Sequence, residues 1–199
     1  MERARHAIAA DIPQLTATLA EAFVDDPLTS WIFPDPAMRP HQLQSWMRLT
    51  VEMGLTRGHL YTAGGNRAAA IWSPPDVTLF DEIWGARLAQ LLTKELGDRA
   101  GEVLQGLARA LASQPDDEPH FYLFTLGTHP EQQGSGLGAR VVEPVLAICD
   151  EQGLPAHLES SNERNLSFYR RHGFEVLSEI SVAEDGPILR PMRREPHSS

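Results

Sequence analysis

Residues 125–143 of this chain read Thr-Leu-Gly-Thr-His-Pro-Glu-Gln-Gln-Gly-Ser-Gly-Leu-Gly-Ala-Arg-Val-Val-Glu. The stretch continues an alternating run, rich in aromatic and β-branched side chains, that predicts a strand over residues 120–128. An apolar stripe with helical spacing then predicts a helix over residues 136–152. A strand therefore enters a glycine-rich turn, and the turn opens a helix.

This turn has the properties of an anion site. Glycine lacks a Cβ, so successive backbone N–H groups can converge there without crowding, and a helix N-terminus adds the equivalent of roughly half a positive charge. A pyrophosphate is the natural guest of such a site. The predicted anion-binding residues are Gln133, Gly134, Ser135, Gly136, Leu137 and Gly138.

Two nucleotide-binding motifs compete for the same turn. A P-loop needs Lys and Ser or Thr after its last glycine, and Gly138 is followed instead by Ala139-Arg140, which excludes that motif. The dinucleotide fingerprint fits better, because Gly134, Gly136 and Ala139 satisfy its spacing and Glu159 ends the next predicted strand about 20 residues on. Two features oppose the dinucleotide fingerprint. Five residues separate the strand from Gly134, whereas the first glycine of that fingerprint follows its strand directly. Only about 60 residues follow the loop, which is too few for a doubly wound domain. A glycine-rich helix start without any ligand also stays open.

The remaining pattern predicts alternating helices and short strands. We expect strands over residues 5–9, 60–63, 68–73, 156–160, 174–182 and 187–193, and helices over residues 12–23, 40–58, 79–96, 101–113 and 165–172. Asp11 is the predicted cap of the first helix, and residues 114–119 form a polar break. The predicted fold is α+β, an α/β sandwich with helices on a mixed sheet.

Composition bounds the function classes. The 199 residues are 42% apolar and 22% charged, which is typical of a globular chain and favours one domain over residues 1–199, or two at most. Cys149 is the single cysteine, so a disulfide framework and a cysteine-built zinc site are excluded, and the eight histidines show no metal-ligand spacing. A net charge of −10 disfavours nucleic acid as a partner. No run approaches the ~18 apolar residues of a membrane span, so we expect a cytoplasmic protein with no membrane partner.

The glycine loop and the residues after it resemble a known family. The spacing Gln133-x-x-Gly136-x-Gly138 is similar to the coenzyme A motif of the GNAT N-acetyltransferase superfamily, and Asn165-x-x-x-Tyr169 with Gly173-Phe174 is similar to a later segment of that family. The resemblance is strongest over residues 120–175, and Thr128 stands where a valine is more usual. Residues 21–27 and Gly186-Pro187 are similar, more loosely, to puromycin N-acetyltransferase.

The resemblance implies a GNAT-like sheet, mostly antiparallel with helices on both faces, and acetyl-CoA as co-substrate. It implies that backbone amides of the glycine loop hold the pyrophosphate. It also implies that the strand before the loop splays from its neighbour, which would free backbone groups of Leu126, Gly127 and Thr128 for the pantetheine and the thioester carbonyl. Asn165 would bond the pantetheine or cap its helix.

Proton transfer needs an acid for the leaving thiolate and a base for the amine. A phenol stays protonated at neutral pH, so Tyr169 is the candidate acid, although an aromatic beside Phe168 also fits a core position. Glu159 and His120 are candidate bases at strand ends, where solvated residues are also common.

Four residues near the end of the first helix are candidate substrate contacts. Asp25 and Asp26 lie close in sequence to Trp31 and Phe33, and acids beside aromatics suit a cationic or aromatic substrate. The two acids also fit a helix stop. We expect direct acetyl transfer to a primary amine of a small molecule, of antibiotic type or otherwise cationic, by a monomer or homodimer. The alternatives are a non-catalytic acyl-CoA-binding module and a dinucleotide-dependent oxidoreductase.

Overall fold

The computed structural model describes residues 3–112 and 118–197, so most of the predicted polar break lies outside the described residues. The helices are α1 Ile12–Ala22, α2 Pro27–Ile32, α3 Arg39–Arg57, α4 Glu82–Leu96, α5 Ala100–Leu111, α6 Leu137–Gln152 and α7 Leu166–Arg171. The strands are β1 Arg5–His6, β2 His59–Ala63, β3 Ala68–Ser73, β4 Phe121–Thr128, β5 Ala156–Ser160, β6 Glu175–Val176, β7 Ile180–Ser181 and β8 Ile188–Arg194. None of the described helices is both long and apolar enough to cross a membrane.

The strands form one mixed sheet in the order β1-β2-β3-β4-β5-β8-β6, with β7 also paired to β8. Every pairing is antiparallel except that of β4 with β5. The hairpin between β2 and β3 turns through Gly64, Gly65 and Asn66, all with positive φ, which glycine and asparagine adopt more readily than other residues. The predicted mixed, mostly antiparallel sheet is confirmed.

Apolar cores cover both faces of this sheet. On one face α1, α3, α4 and α5 bury a cluster that includes Leu15, Val51 and Leu92. On the other face α6 and α7 bury a second cluster that includes Val141 and Leu166. Alternation along the strands sends neighbouring side chains to opposite clusters, which gives the predicted arrangement of helices on both faces.

Asp11 does not cap α1 as predicted. Its carboxylate accepts hydrogen bonds from the Ile8 N–H at 2.9 Å, from Arg5 at 2.7 Å and from the Asn66 amide at 2.7 Å. The predicted first strand is consequently short, because the chain turns after His6 to bring Ile8 to this carboxylate. The Asp11 carboxylate thus binds Arg5, Ile8 and Asn66 instead of the N–H groups in the first turn of α1.

Two other boundaries differ from the prediction. The helix expected from residue 79 starts at Glu82, because the Asp81 side chain accepts from the Ile83 and Trp84 N–H groups and so fixes the N-cap. The strand expected over residues 174–182 is divided into β6 and β7, which both pair with β8.

Candidate active site

A gap opens between β4 and β5 within the sheet. The two strands pair only at Phe121–Ala156 and Tyr122–His157, after which β4 continues to Thr128 and β5 to Ser160 without a ladder between them. β5 stays paired with β8 along its whole length. The predicted splay is therefore confirmed, and it lies at the carboxyl ends of two parallel strands, where ligands of such sheets bind.

The glycine turn leads from this gap into α6. Gly134 and Gly136 both have positive φ, of 77° and 83°, and Gly136 is the N-cap residue without a side-chain cap hydrogen bond. The first N–H of the helix ladder is that of Arg140, which donates to the Gly136 carbonyl at 3.3 Å. The earlier N–H groups of the first turn have no acceptor within the helix, so they are available to an anion at a positively polarised helix end.

A cleft of about 720 Å³ connects the gap, the start of α6, the α1–α2 connection and α7. We call it the long cleft. Every residue predicted to bind the cofactor lines it except Ser135, whose hydroxyl donates to the Gln132 carbonyl at 2.5 Å. Those lining residues are Leu126, Gly127, Thr128, Gln133, Gly134, Gly136, Leu137, Gly138 and Asn165.

Close helix packing explains the glycine at position 127. A Cβ there would lie 2.6 Å from the Leu19 Cδ2 atom and 3.2 Å from the Ala22 Cβ and the Phe23 ring. Helix α1 thus packs directly on the β4 backbone beside the gap. Gly127 contributes to this site through its backbone and through the helix position that its missing side chain permits.

Tyr169 lies on α7 with its side chain buried against the long cleft. Its ring packs edge-on against Phe168 at 5.4 Å and Phe174 at 6.1 Å. Gly173, with φ of 86°, ends the helical segment and lets the Phe174 N–H return to the Tyr169 carbonyl at 3.1 Å. Burial raises the pKa of the Tyr169 phenol, and the charge of Asp26 raises it further. The phenol therefore stays protonated at neutral pH.

Asp26 is a buried carboxylate at the N-cap of α2. One oxygen accepts from the Leu28 N–H at 2.9 Å and the Thr29 N–H at 3.3 Å, and the other accepts from the Ser161 hydroxyl at 2.6 Å. Burial raises the pKa of Asp26, against the opposing effect of these hydrogen bonds. The hydrogen bond to Ser161 ties α2 to the end of β5.

A second, smaller pocket of about 130 Å³ adjoins the long cleft on the α1–α5 face. We call it the apolar pocket. Its wall includes Trp46 of α3, Phe80 from the segment before α4, Leu88 of α4 and Leu107 of α5. Asp26 and Phe23 line both the apolar pocket and the long cleft, so the two spaces meet at these side chains.

An irregularity in β4 shapes the apolar pocket. The register with β3 shifts where Ile71 faces Thr125 and Trp72 faces Leu123, which leaves Phe124 as an extra residue in β4. Phe124 and Thr125 both line the apolar pocket, although successive strand residues normally point to opposite faces. The extra residue thus brings two neighbouring side chains to one wall.

Comparison with known proteins identifies the domain. Residues 60–174 match the model of the Acetyltransferase (GNAT) family. The chain belongs to this family. An uncharacterized N-acetyltransferase of Schizosaccharomyces pombe is 28% identical over 98% of the chain and 84% of its own length. The predicted assignment as an acetyl-transfer enzyme is confirmed.

Solved structures share the GNAT fold over nearly the full chain. A Corynebacterium glutamicum structure of histone acetyltransferase HPA2 and related acetyltransferase has a TM-score of 0.73 at 24% identity, covering 99% of this chain and 97% of its own. The polyamine N-acetyltransferase of Drosophila melanogaster has a TM-score of 0.60 at 18% identity, covering 96% and 98%.

The GNAT domain brings Asp26, Tyr169 and Glu159 to the region of the gap, but it does not bring His120 there. His120 precedes β4 at the end opposite Leu126–Thr128, where its ring packs on His157 at 4.7 Å and its Nδ1 lies 2.8 Å from the Glu118 carbonyl oxygen. About seven residues of extended strand, roughly 23 Å, separate it from the loop end of β4. We therefore no longer assign His120 as a base.

Two of the four candidate substrate residues also lie elsewhere. Phe33 is fully buried in the core against Trp46, with ring centroids 6.0 Å apart. Trp31 packs on α5, where a Cβ at Gly106 would lie 2.8 Å from its ring. Asp25 is exposed and lines the long cleft, and Asp26 is the buried carboxylate described above. Sequence proximity grouped these four residues, but the short helix α2 points them in different directions.

The sequence pattern also left several lining residues unassigned. Arg164 and Arg171 line the long cleft and could pair with phosphates there. Arg164 precedes α7 and Arg171 is its last residue, so no helical spacing related the two in the sequence. Ser161 and Tyr122 had no local pattern that pointed to the site. Cys149 is buried, and burial raises the pKa of its thiol to about 12, so this side chain is part of the apolar core.

Proposed function

We propose that this protein transfers the acetyl group of acetyl-CoA directly to a primary amine of a small molecule. The proposal depends above all on Asp26, a buried carboxylate that lines both the long cleft and the apolar pocket, with the Tyr169 phenol in its field. A candidate proton acceptor at the junction and a candidate proton donor thus both line the long cleft.

The long cleft supports acetyl-CoA as the donor. The unpaired edge of β4 beyond Tyr122 offers backbone groups to an extended pantetheine arm, and the open first turn of α6 offers N–H groups to a pyrophosphate. Arg164 and Arg171 add positive charge for phosphates. When bound, acetyl-CoA would supply a thioester as the activated acetyl group.

The residues at the junction suit the two proton transfers that amide formation requires. As the new C–N bond forms and the C–S bond breaks, the amine must lose a proton and the departing sulfur must gain one. We assign Asp26 as the acceptor of the amine proton, because burial raises its pKa and so strengthens it as a base. We assign Tyr169 as the proton donor to the sulfur, since its phenol is neutral at pH 7. No covalent intermediate with the protein is needed.

Glu159 has a different place in this proposal. It lines the apolar pocket at the end of β5 and accepts a hydrogen bond from the Tyr122 hydroxyl. We assign it to electrostatic attraction of the ammonium group, and we assign proton removal to Asp26, which also reaches the long cleft.

The likeness to known acetyltransferases supports a small amine as acceptor. The Drosophila melanogaster enzyme is a polyamine N-acetyltransferase that catalyses the formation of N-acetylagmatine. At that level of identity the fold alone is shared, so the acceptor is proposed from the pockets of this chain. The monomeric or homodimeric state, the cytoplasmic location and the looser similarity to puromycin N-acetyltransferase stay predictions.

Ligand binding and thiol release together test the proposal. We expect acetyl-CoA to raise the melting temperature and NAD to leave it unchanged. Ligand at 100 times its Kd stabilises a protein by about 2.7 kcal/mol, which amounts to several degrees. Addition of a primary amine should then release CoA thiol, measured with a thiol reagent. Stabilisation by NAD alone would favour the oxidoreductase, and acetyl-CoA binding without thiol release from any amine would favour the binding module.

A further inference from the structure

We infer that the acceptor carries its primary amine beside one compact apolar group of about the size of a benzene ring, and that a second positive charge on the acceptor is disfavoured. The inference rests on the proposed function, because it takes the apolar pocket as the place where the acceptor binds.

The volume of the apolar pocket limits the acceptor. At about 130 Å³, it is close in size to an engineered cavity of about 150 Å³ in another protein that is lined by apolar side chains and binds benzene. A phenyl ring or a branched alkyl group of similar size would fill this space. A long flexible chain would have to fold up or leave through the opening.

The two acidic groups of the apolar pocket lie together at one end of it. Asp26 accepts the hydrogen bond from Ser161, and Ser161 follows Glu159 by two residues, so both carboxylates stand at the end of β5. Tyr122 joins the same end through its hydrogen bond to Glu159. An ammonium group is therefore attracted to this end, next to the long cleft.

The rest of the pocket wall offers mainly apolar contact to the remainder of the acceptor. It includes Trp46, Met47, Phe80, Leu88, Leu107 and Ala110. Among the described lining residues, Asp26 and Glu159 are the acidic side chains, and neither is on this wall. A second ammonium group bound there would lose its hydration without gaining a counter-charge, which is strongly unfavourable. The wall thus favours arylalkyl or branched alkyl monoamines over polyamines.

An amine panel tests the inference directly. Thiol release from acetyl-CoA is measured with benzylamine, 2-phenylethylamine and isoamylamine, and with agmatine and spermidine, under the same conditions. We expect kcat/KM to be about tenfold or more higher for the apolar monoamines, the scale on which pocket contacts discriminate. Equal or higher kcat/KM for agmatine or spermidine overturns the inference and leaves the proposed function standing. No thiol release with any amine overturns both.

Two variants with opposite effects test whether the wall of the apolar pocket causes the preference for apolar monoamines. Ala110→Leu reduces the pocket, and Ala108→Leu is its matched control on the exposed face of the same helix. We expect Ala110→Leu to lower kcat/KM for 2-phenylethylamine about tenfold and Ala108→Leu to leave it unchanged. Leu88→Ala enlarges the pocket and should shift the preference towards a bulkier amine such as naphthylmethylamine. If Ala110→Leu impairs folding, Leu88→Ala decides, and an unchanged preference order in that variant overturns the inference.

Discussion

The phenol of Tyr169 and the carboxylate of Asp26 both line the long cleft, and the charge of the carboxylate adds to the effect of burial in raising the pKa of the phenol. Tyr169 comes from α7, after the sheet gap, whereas Asp26 caps α2 near the start of the chain. Their chemistry is complementary, since the first retains its proton at neutral pH and the second is available to receive one. A site that only bound a nucleotide would not need such a pair.

Removal of the Tyr169 hydroxyl should slow turnover without weakening donor binding. Tyr169→Phe keeps the ring packed against Phe168 and Phe174 but deletes the proton donor. General acid catalysis contributes about 10²- to 10⁴-fold, so we expect kcat to fall by about 10²-fold or more. The Kd for acetyl-CoA, measured by calorimetry, should stay within about twofold because the phenol makes no part of the phosphate site. Tyr61→Phe, at a buried tyrosine of β2, is the control, and equal effects of the two variants would remove Tyr169 as the acid.

Substitution of Asp26 should separate activity from stability. Asp26→Asn retains an oxygen that can accept from Leu28 and Thr29 at the cap, but it removes the charge. Because burial raises the pKa of Asp26, the folded protein binds this proton more tightly than the unfolded chain. Ionisation of Asp26 therefore costs stability as the pH rises above the unfolded pKa near 4. At pH 7 we expect the variant to melt at the same or a higher temperature while kcat/KM falls by about 10²-fold.

Asp81→Asn is the matched control for that experiment. Asp81 caps α4 through the Ile83 and Trp84 N–H groups, as Asp26 caps α2 through those of Leu28 and Thr29. The control substitution therefore changes an equivalent helix cap away from the junction of the long cleft and the apolar pocket. Its activity should stay near that of the unmodified protein. An Asp26→Asn protein with full activity would show that the carboxylate serves only as a helix cap.

A large side chain at Gly136 should abolish acetyl-CoA binding. Gly136 has φ of 83°, and a Cβ added there would have no neighbouring atom within 4 Å. Gly136→Arg therefore adds backbone strain of about 1–2 kcal/mol and places a large side chain at the glycine turn. Gly153, at the other end of α6, has φ of 67° and equally open surroundings. Gly153→Arg should therefore lower the melting temperature by a similar amount and keep the acetyl-CoA shift. If both variants lost the rise in melting temperature with acetyl-CoA, the geometry of α6 in general, and not the glycine turn, would control binding.

Stability should decline in mild acid through His157. Burial, together with the charges of His120 and Arg193, lowers the pKa of His157 to about 4, against the opposing charges of Glu118 and Glu195. Between the unfolded pKa near 6.5 and about 4, the unfolded chain binds the proton and the folded protein does not. The free energy of unfolding should thus fall with decreasing pH in this window, by up to about 1.4 kcal/mol per pH unit.

Denaturant unfolding between pH 4.5 and 7 measures that slope. His157→Gln should flatten it, because the glutamine does not titrate and its amide oxygen can still accept from Arg193. His41→Gln, at an exposed histidine of α3, should leave the slope unchanged. A slope that survives in the His157→Gln protein would assign the acid sensitivity to other groups.

The sequence by itself determined the local backbone of the glycine turn, the proposed donor site. A strand, a turn with glycines at positions 134 and 136, and an amphipathic helix are all patterns of neighbouring residues. Both glycines have positive φ, a conformation that glycine adopts readily because it lacks a Cβ. The short helix with Tyr169 and its Gly173 end was predictable for the same reason. Spacing along the chain encodes such geometry directly, because the interacting groups are a few residues apart.

Only the tertiary structure decided what surrounds the apolar pocket, the proposed acceptor site. Asp26 and Ser161 are 135 positions apart, and no local pattern relates them. Phe33, close to Asp26 in sequence, packs in the core because α2 is short and turns its far end inward. The extra residue at Phe124, which brings two side chains to one wall, depends on the register that β4 adopts against β3. These features arise from the packing of distant elements against one another, and that packing is a property of the whole chain.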